Sequence, residues 1–297
     1  MKKQIPVYDI CNLQQANSGM HDFIAERFGA YLKRHSQNLH LAHRHSFYHL
    51  VLFTKGTGTH NIDFNQFTVK PNQIYFMVPG QVHSWNFTSE PDGYIINFSE
   101  TLFRSFLLNP NYLDRFAFFN GISEDCVCTL PTAEMHKVVS FFEEILLQVT
   151  SGRRDLDMIR LLLLQVFITT EQASNFATRK FVPEQKQILL RNFRRLIDQY
   201  YRTARLPKEY ADLLYVTPGH LNALCQDLLD KTAGELIRDR ILLEAKRLLT
   251  NAEMSITEIA YDLNFKDNSY FTRFFKKYEG VTPEEFRKQL AQPAIQQ

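Results

Sequence analysis

The sequence predicts an α+β protein: a β-rich front half closed into a small barrel with flanking helices, then an all-α half holding two helix-turn-helix units joined by a long helix. Three observations carry this. Short β runs broken by turn residues fill the stretch from about Tyr31 to Phe98, the text turns helical near residue 130, and the helical half repeats itself. The expected organisation is a β-rich barrel over 1–130, a helical segment over 131–180, and a double helix-turn-helix over 181–297.

Composition sets the limits. With 297 residues, 44% hydrophobic and 22% charged, the chain suits one or two globular domains with sizeable cores. The opening, MKKQIPVYDICN, carries positive charge but no apolar stretch, so no secretory signal is expected. The longest oily run, 161–168, holds Gln165 and is too short to cross a bilayer, so no membrane partner is expected. Four cysteines, Cys11, Cys126, Cys128 and Cys225, are too scattered for a disulfide framework. A reducing cytoplasm fits. Cys126 and Cys128 read as neighbouring thiols rather than a metal site. Net charge is +2, and residues 181–297 hold 18 basic and 16 acidic side chains. A polyanionic partner must therefore meet a local patch, such as Lys266, Arg273, Lys276 and Lys277.

The front half is punctuated like a β structure. YHLVLFTKGTGTHNIDF, QFTVKPNQIYFMVPGQVHSW and DGYIINFS read as strands, with turns at Gly56, Gly58, Pro71-Asn72 and Pro79-Gly80. Alternation leaves one choice open: either Ile74, Phe76 and Val78 point inward, or Tyr75 and Met77 do. Between Thr101 and Cys128 the signal is poor. Two helical stretches follow, TAEMHKVVSFFEEILLQV and RRDLDMIRLLLLQVFITTEQA, with a Ser-Gly-Arg-Arg break between them. ASNFATRKFVPE reads as a linker, and from there to Leu290 the text is helical.

The repeat lies in this last part. ADLLYVTPGHLNALCQDL (211–228) is echoed by AYDLNFKDNSYFTRFFKKY (260–278), the second copy having one extra turn residue. Thr217 before Pro218 reads as an N-cap with an N1 proline, and Ser255 with Glu258 and Thr282 with Glu285 read as capping boxes. Ile237, Ile241, Ala245 and Leu248 give the connecting helix an apolar seam.

Each second helix of the repeat has two faces. Leu221, Leu224, Cys225 and Leu228 form an i, i+3, i+4, i+7 stripe, as do Phe271, Phe274, Phe275 and Tyr278. Opposite them stand Gly219, Asn222, Ala223 and Gln226 in one helix, and Ser269, Thr272, Arg273 and Lys276 in the other. One amphipathic helix with a polar outside is ordinarily just solvated. Two, repeated at helix-turn-helix spacing with matching caps, fit a pair of readers for successive DNA major grooves, roughly 34 Å apart.

Residues 208–288 closely resemble the DNA-binding domain of the AraC/XylS family of bacterial transcription regulators, and SITEIAYDLNFKDNSYFTRFFKKYEGVTPEEFRK matches that family's signature nearly throughout. The resemblance implies that helices 217–229 and 268–278 are the recognition helices. It places Asn222 and Gln226 of the first, and Asn268, Ser269, Thr272, Arg273 and Lys276 of the second, near the bases or phosphates of double-stranded DNA. Gly219 and Ala223 stand where members often carry larger or basic residues, so the first helix is unusually bare. Asn264 and Asp230 replace turn glycines, and both residue types tolerate a left-handed backbone.

In the front half, His43-x-His45, then His49, Gly56 and Pro79-Gly80-x-x-His83 resemble the two motifs of the cupin barrel. In metal cupins an H-x-H, a glutamate and a later histidine hold the metal. Here His49 takes the glutamate position, so four imidazoles could converge. The default expectation is a pocket without metal or other cofactor, lined by His45, His49, Tyr75, His83 and Trp85, that takes a small-molecule effector.

In that family the helices after the barrel pair two subunits. The stripe Ile159, Leu162, Leu163, Val166 and Phe167, with Phe141, Ile145 and Leu146, is the candidate dimer face, and burial within one chain is its competitor. The expected function is a cytoplasmic, ligand-responsive, homodimeric transcription activator, with RNA polymerase as a further partner and no catalytic role. The alternative is a cupin-type metalloenzyme with an appended helical domain, which would need an acid or base that no carboxylate among the four histidines supplies. A constitutive DNA-binding protein with an empty barrel is the third reading.

Overall fold

The computed structural model describes residues 6–13, 22–39, 42–104, 106–107, 109, 111–151, 155–174, 183–251 and 253–291. The chain divides into a unit over Pro6–Lys180 and a second taking Phe181–Gln297. The class is α+β, as the sequence predicts. The break at 152–154 and most of the linker, 175–182, lie outside the described residues.

The first unit opens with β1 (Val7–Tyr8), α1 (Ile10–Leu13), β2 (Phe23–Arg27) and α2 (Phe28–Leu39). Then come β3 (His43–His45), β4 (Tyr48–Lys55), β5 (Gly58–Ile62), β6 (Asn65–Val69), β7 (Gln73–Met77), β8 (Val82–Phe87) and β9 (Asp92–Phe98). It closes with α3 (Thr101–Arg104), β10 (Val127–Thr129), α4 (Thr132–Thr150) and α5 (Leu156–Ala173). Two five-stranded sheets result, ordered β1-β3-β8-β5-β6 and β10-β7-β4-β9-β2. β1 runs parallel to β3, and the other recorded pairings are antiparallel. The expected turns at Gly56, Gly58, Asn72 and Gly80 all take positive φ. At Gly93 a Cβ would lie 1.9 Å from the Leu52 carbonyl oxygen, so only glycine lets β9 run against β4 there.

Period-two alternation sorts the side chains into two cores. Val51, Phe53, Tyr75, Met77, Trp85 and Ile95 fill the space between the sheets with Phe28. Leu50, Leu52, Ile74, Phe76, Ile96 and Phe98 face the other way, into a second core shared with α4 and α5. The open choice is thereby settled: Tyr75 and Met77 point into the barrel. Ile74 and Phe76 are equally buried because helices cover their face, which is why QIYFM reads as one apolar run rather than an alternation.

Two expectations need correcting, and one stretch left unassigned gains its structure. The β reading from Tyr31 fails at α2, whose Phe28, Tyr31, Leu32 and His35 follow helical spacing instead. The weak stretch 101–128 holds α3 and 3-10 turns at Tyr112–Arg115, Ala117–Phe119 and Ser123–Asp125, which bury Phe116, Phe118 and Phe119. The candidate dimer stripe is spent inside the chain: Ile145, Ile159, Leu162, Leu163, Val166 and Phe167 are buried in the sheet-helix core, with Phe141 and Leu146 packed against it. The apolar groups that α4 and α5 leave exposed are Leu147, Leu156, Met158, Leu161 and Ile168.

The second unit consists of α6 (Glu184–Tyr200), α7 (Pro207–Leu213), α8 (Pro218–Leu229), α9 (Ala233–Leu249), α10 (Ile256–Asp262), α11 (Asn268–Glu279) and α12 (Pro283–Ala291). The expected caps are present. The Thr217 hydroxyl accepts from the His220 N–H, and Ser255–Glu258 and Thr282–Glu285 bond reciprocally. A third box, Thr232 with Glu235, starts α9. Asp230 and Asn264 take φ of 54° and 56°. The predicted seam Ile237, Ile241, Ala245 and Leu248 is buried along α9, a 17-residue helix at a rise of about 1.5 Å per residue. Arg240 fastens α6 to α9, bonding Asp198 at 2.7 Å and Glu244 at 3.0 Å while lying over the Tyr201 ring.

Candidate functional site

Two places carry polar chemistry. The first is the outward row of each helix-turn-helix. In α11, Phe271 and Phe275 are fully buried, Phe274 is half-buried against Phe265, and Tyr278 is partly exposed. This fixes the rotation of the helix. Ser269, Arg273 and Lys276 are therefore exposed, while Asn268 and Thr272 are half-buried and joined by a 3.4 Å hydrogen bond. Asp267 caps α11 by accepting from the Tyr270 N–H at 2.7 Å, and Gly280 ends it at φ 81°. Lys266 and Lys277 are exposed too, so the basic patch expected from the sequence stands on one helix and its entry turn.

In α8, Leu221, Leu224 and Cys225 are buried, leaving Gly219, Asn222, Ala223 and Gln226 outward. Both polar members already hold intramolecular bonds. The Asn222 side-chain oxygen accepts from the Ala233 N–H at 2.9 Å, and Gln226 donates to Asp230 at 2.7 Å. At the turn before α8, Tyr215 takes φ 56° and is 95% exposed.

The second place is the barrel interior. All five of the sequence-predicted pocket residues, His45, His49, Tyr75, His83 and Trp85, are buried. The strand register brings His43 of β3 opposite His83 of β8, and His60 of β5 opposite Trp85. His83 is bonded at both ring nitrogens, to His45 (Nε2–Nε2 2.8 Å) and to His60 (Nδ1–Nε2 3.0 Å). His49 Nδ1 donates to Asn97 Oδ1 at 2.7 Å. His60 stacks on Trp85, their ring centres 3.3 Å apart, and Tyr75 packs against both. Burial pushes the His45, His60 and His83 imidazoles well below their ordinary range and that of His49 down to about 3. All four are neutral near pH 7, each with one N–H and one lone pair. Tyr8, on the strand alongside β3, sets its ring edge-on to His43, centres 5.5 Å apart.

Sequence reasoning overlooked His60 and Asn97. The available signal was parity: His60 shares the inward phase of Ile62, and Asn97 that of Ile95. The C-x-C thiols are buried on opposite faces, Cys126 in the inter-sheet core and Cys128 in the helix-covered one. They share no site.

Known families match both units. The model described as AraC-like ligand binding domain matches residues 29–206, and that described as helix-turn-helix domain matches residues 210–289. The first alone spans more than half of the chain. The chain belongs to the AraC family of transcription regulators. Its relatives include the transcriptional activator RhaS of Escherichia fergusonii, 22% identical over 258 residues, covering 83% of this chain and 87% of that one. PqrA of Proteus vulgaris is 40% identical over 74 residues, or 25% of this chain and 61% of PqrA, so the chain spans less than two thirds of that relative. Among solved structures, ToxT from Vibrio cholerae with bound unsaturated fatty acid aligns at TM-score 0.42 and 12% identity over 93% of this chain and 99% of that one. Among the described residues of this AraC-family chain, no helix is long and apolar enough to cross a membrane.

Proposed function

We propose that this AraC-family protein is a sequence-specific DNA-binding regulator, acting as an activator under control of a small molecule held in the barrel, and residing in the cytoplasm. One observation carries the reading: both recognition helices keep their polar rows outward, one before and one after the long helix α9. Asn222, Gln226, Asn268, Ser269, Thr272, Arg273 and Lys276 are the proposed DNA-contacting set. The ranges 1–130, 131–180 and 181–297 are the proposed regulatory, helical and DNA-binding parts, although α4 and α5 share a core with the barrel's outer sheet.

The effector reading is supported by two buried ring nitrogens without a hydrogen-bond partner, His45 Nδ1 and His49 Nε2, beside Tyr75, His83 and Trp85. Exposed Leu147, Leu161 and Ile168 are the proposed contact of a homodimer, with RNA polymerase as the partner in activation. The enzyme alternative gains nothing: among the described residues no carboxylate joins the histidine cluster.

Selection of binding sites from random duplex DNA with the full chain tests the reading. The expected product has two elements about 10 base pairs apart, one per recognition helix on one face of the duplex. Enrichment of no site, or of one element only, would overturn it. Thermal shift against small metabolites tests the effector.

A further inference from the structure

The two helix-turn-helix units are joined at more than one place. Helix α9 is the covalent link, with α7 and α8 packed on it from the first unit and α10 and α12 from the second. Another link runs outside it. Arg205 lies in the turn from α6 into α7, where its backbone N–H donates to Glu209 Oε2 at 2.8 Å. The same turn is held by the Tyr210 hydroxyl, which donates to the Ala204 carbonyl at 2.9 Å. Arg205 is thus anchored to the first unit. Its half-buried side chain reaches the second, 58 residues further along the chain. The guanidinium donates to the Leu263 carbonyl and lies over the Phe265 ring, 4.1 Å from its centre. Leu263 and Phe265 flank Asn264, the left-handed residue of the second turn. Phe265 packs on Phe271 and Phe274, ring centres 5.1 Å away in each case. The guanidinium therefore rests on the aromatic stack that sets the rotation of α11.

Such a contact has a use in measuring DNA. Each base pair advances about 3.4 Å and turns about 35° around the duplex. A pair of readers that counts spacing to one base pair must hold its second helix to a fraction of that. A single connecting helix leaves bending and twisting about its own axis as the soft motions, and a second attachment off that axis opposes both. Arginine suits the task, because its planar guanidinium stacks on a ring while its N–H groups point in plane to a carbonyl. Resting on the reading of α8 and α11 as the DNA-contacting helices, we propose that Arg205 is a positioning residue. It fixes the angle between the two recognition helices and so sets the spacing at which two DNA elements are read together.

Two measurements on the full chain separate the angle from the DNA reading. Nitroxide labels at Ala223→Cys and Ser269→Cys, both exposed positions, report the distance between α8 and α11 by pulsed dipolar spectroscopy without DNA. The background carries Cys11→Ser, and Cys126, Cys128 and Cys225 are buried. One narrow distance is expected, broadened or shifted by Arg205→Ala. Arg205→Met, which covers Phe265 without a donor or a charge, should do the same and serves where the alanine variant does not fold. Fluorescence anisotropy then compares the selected duplex with versions whose two elements are moved one base pair closer or further apart. Wild type should prefer one spacing, and Arg205→Ala should cut that preference about 2–30-fold while affinity for the second element alone is unchanged. A label distance that Arg205→Ala leaves as narrow as wild type overturns the proposal, and so does an unchanged spacing preference. An equal loss on the second element alone would mean local damage to α11 and overturns it too. Failure to select any duplex would instead strike the DNA reading, with the label distances still deciding whether Arg205 holds the angle.

Discussion

Asn222 faces two ways, and a pair of substitutions separates its roles. Its side-chain oxygen accepts from the backbone N–H of Ala233, the first residue of α9, at 2.9 Å. Ala233 is fully buried, so that N–H has no water to turn to. Asn222→Ala strands a buried donor, which costs about 1–3 kcal/mol. At roughly 4 °C per kcal/mol for a unit of this size, its unfolding midpoint should fall by about 4–12 °C. Asn222→Asp keeps the acceptor and sets a negative charge at the N-terminus of α9, a favourable placement by about 0.3–1 kcal/mol. Its midpoint should hold or rise. Yet the aspartate loses the outward amide donor and faces phosphates with a charge, so affinity for a selected site should drop. Thermal circular dichroism and fluorescence anisotropy at one fixed salt concentration read the two effects. An alanine variant that melts like wild type refutes the bond, and an aspartate variant that binds DNA like wild type removes Asn222 from the interface.

Arg273→Ala alters an exposed side chain, so stability should move by less than about 0.5 kcal/mol, while specific binding should lose about 1–3 kcal/mol with discrimination relaxed at one base pair; equal losses on specific and random DNA would assign Arg273 to phosphate. Lys276→Ala should weaken every duplex and lower the salt slope by about 1, and an unchanged slope would strike it from the contacts. Tyr215 is 95% exposed at φ 56°, so Tyr215→Gly relieves a left-handed strain at no cost in packing. It should stabilise the unit by about 0.5–1 kcal/mol after allowance for the freer unfolded chain, whereas Tyr215→Ala should not, and equal melting of the two refutes the strain. Hydrogen bonds from Thr232, Ser255 and Thr282 hold the carboxyls of Glu235, Glu258 and Glu285 below their ordinary 4.5. A depressed folded value gives stability that is complete above about pH 4.5 and drains as pH falls through the folded value. Glu258→Gln keeps the geometry without the titration, so its stability should fall less steeply with acid, and an identical slope would overturn the assignment.

What the sequence made legible was local chemistry. Thr217-Pro218, Ser255 with Glu258, and Thr282 with Glu285 mark helix starts because each cap is closed within four residues, and the structure uses all of them. The exposed rows of α8 and α11 follow from the apolar stripes opposite. What stayed hidden depends on distant partners. Nothing near Asn222 announces that α9 will present an N–H to it eleven residues on. Tyr75 and Ile74 could not be ranked because both faces of β7 are buried, one by the opposing sheet and the other by α4 and α5. His60 became part of the histidine cluster only through pairing of β5 with β8, and Asn97 only through pairing of β9 with β4. Phe274, placed in the apolar stripe, is only half-buried, at the edge of the core between Phe265 and Tyr278.

The two readers are unequal, and the inequality follows from where their polar atoms are already engaged. Asn222 gives its oxygen to α9, and Gln226 gives its amide to Asp230. A base edge must compete with those bonds, and an exchange of one hydrogen bond for another yields little net free energy. In α11 the exposed Arg273, Lys276 and Ser269 leave only the weak 3.4 Å Thr272–Asn268 contact to break. A guanidinium fork reads guanine at two points, and a lysine meets phosphate without geometric demand. On the proposed reading, the second helix-turn-helix is therefore expected to carry most of the sequence readout. The first, with Gly219 and Ala223 at its surface, is expected to let the backbone approach the groove closely and mainly to set register through α9.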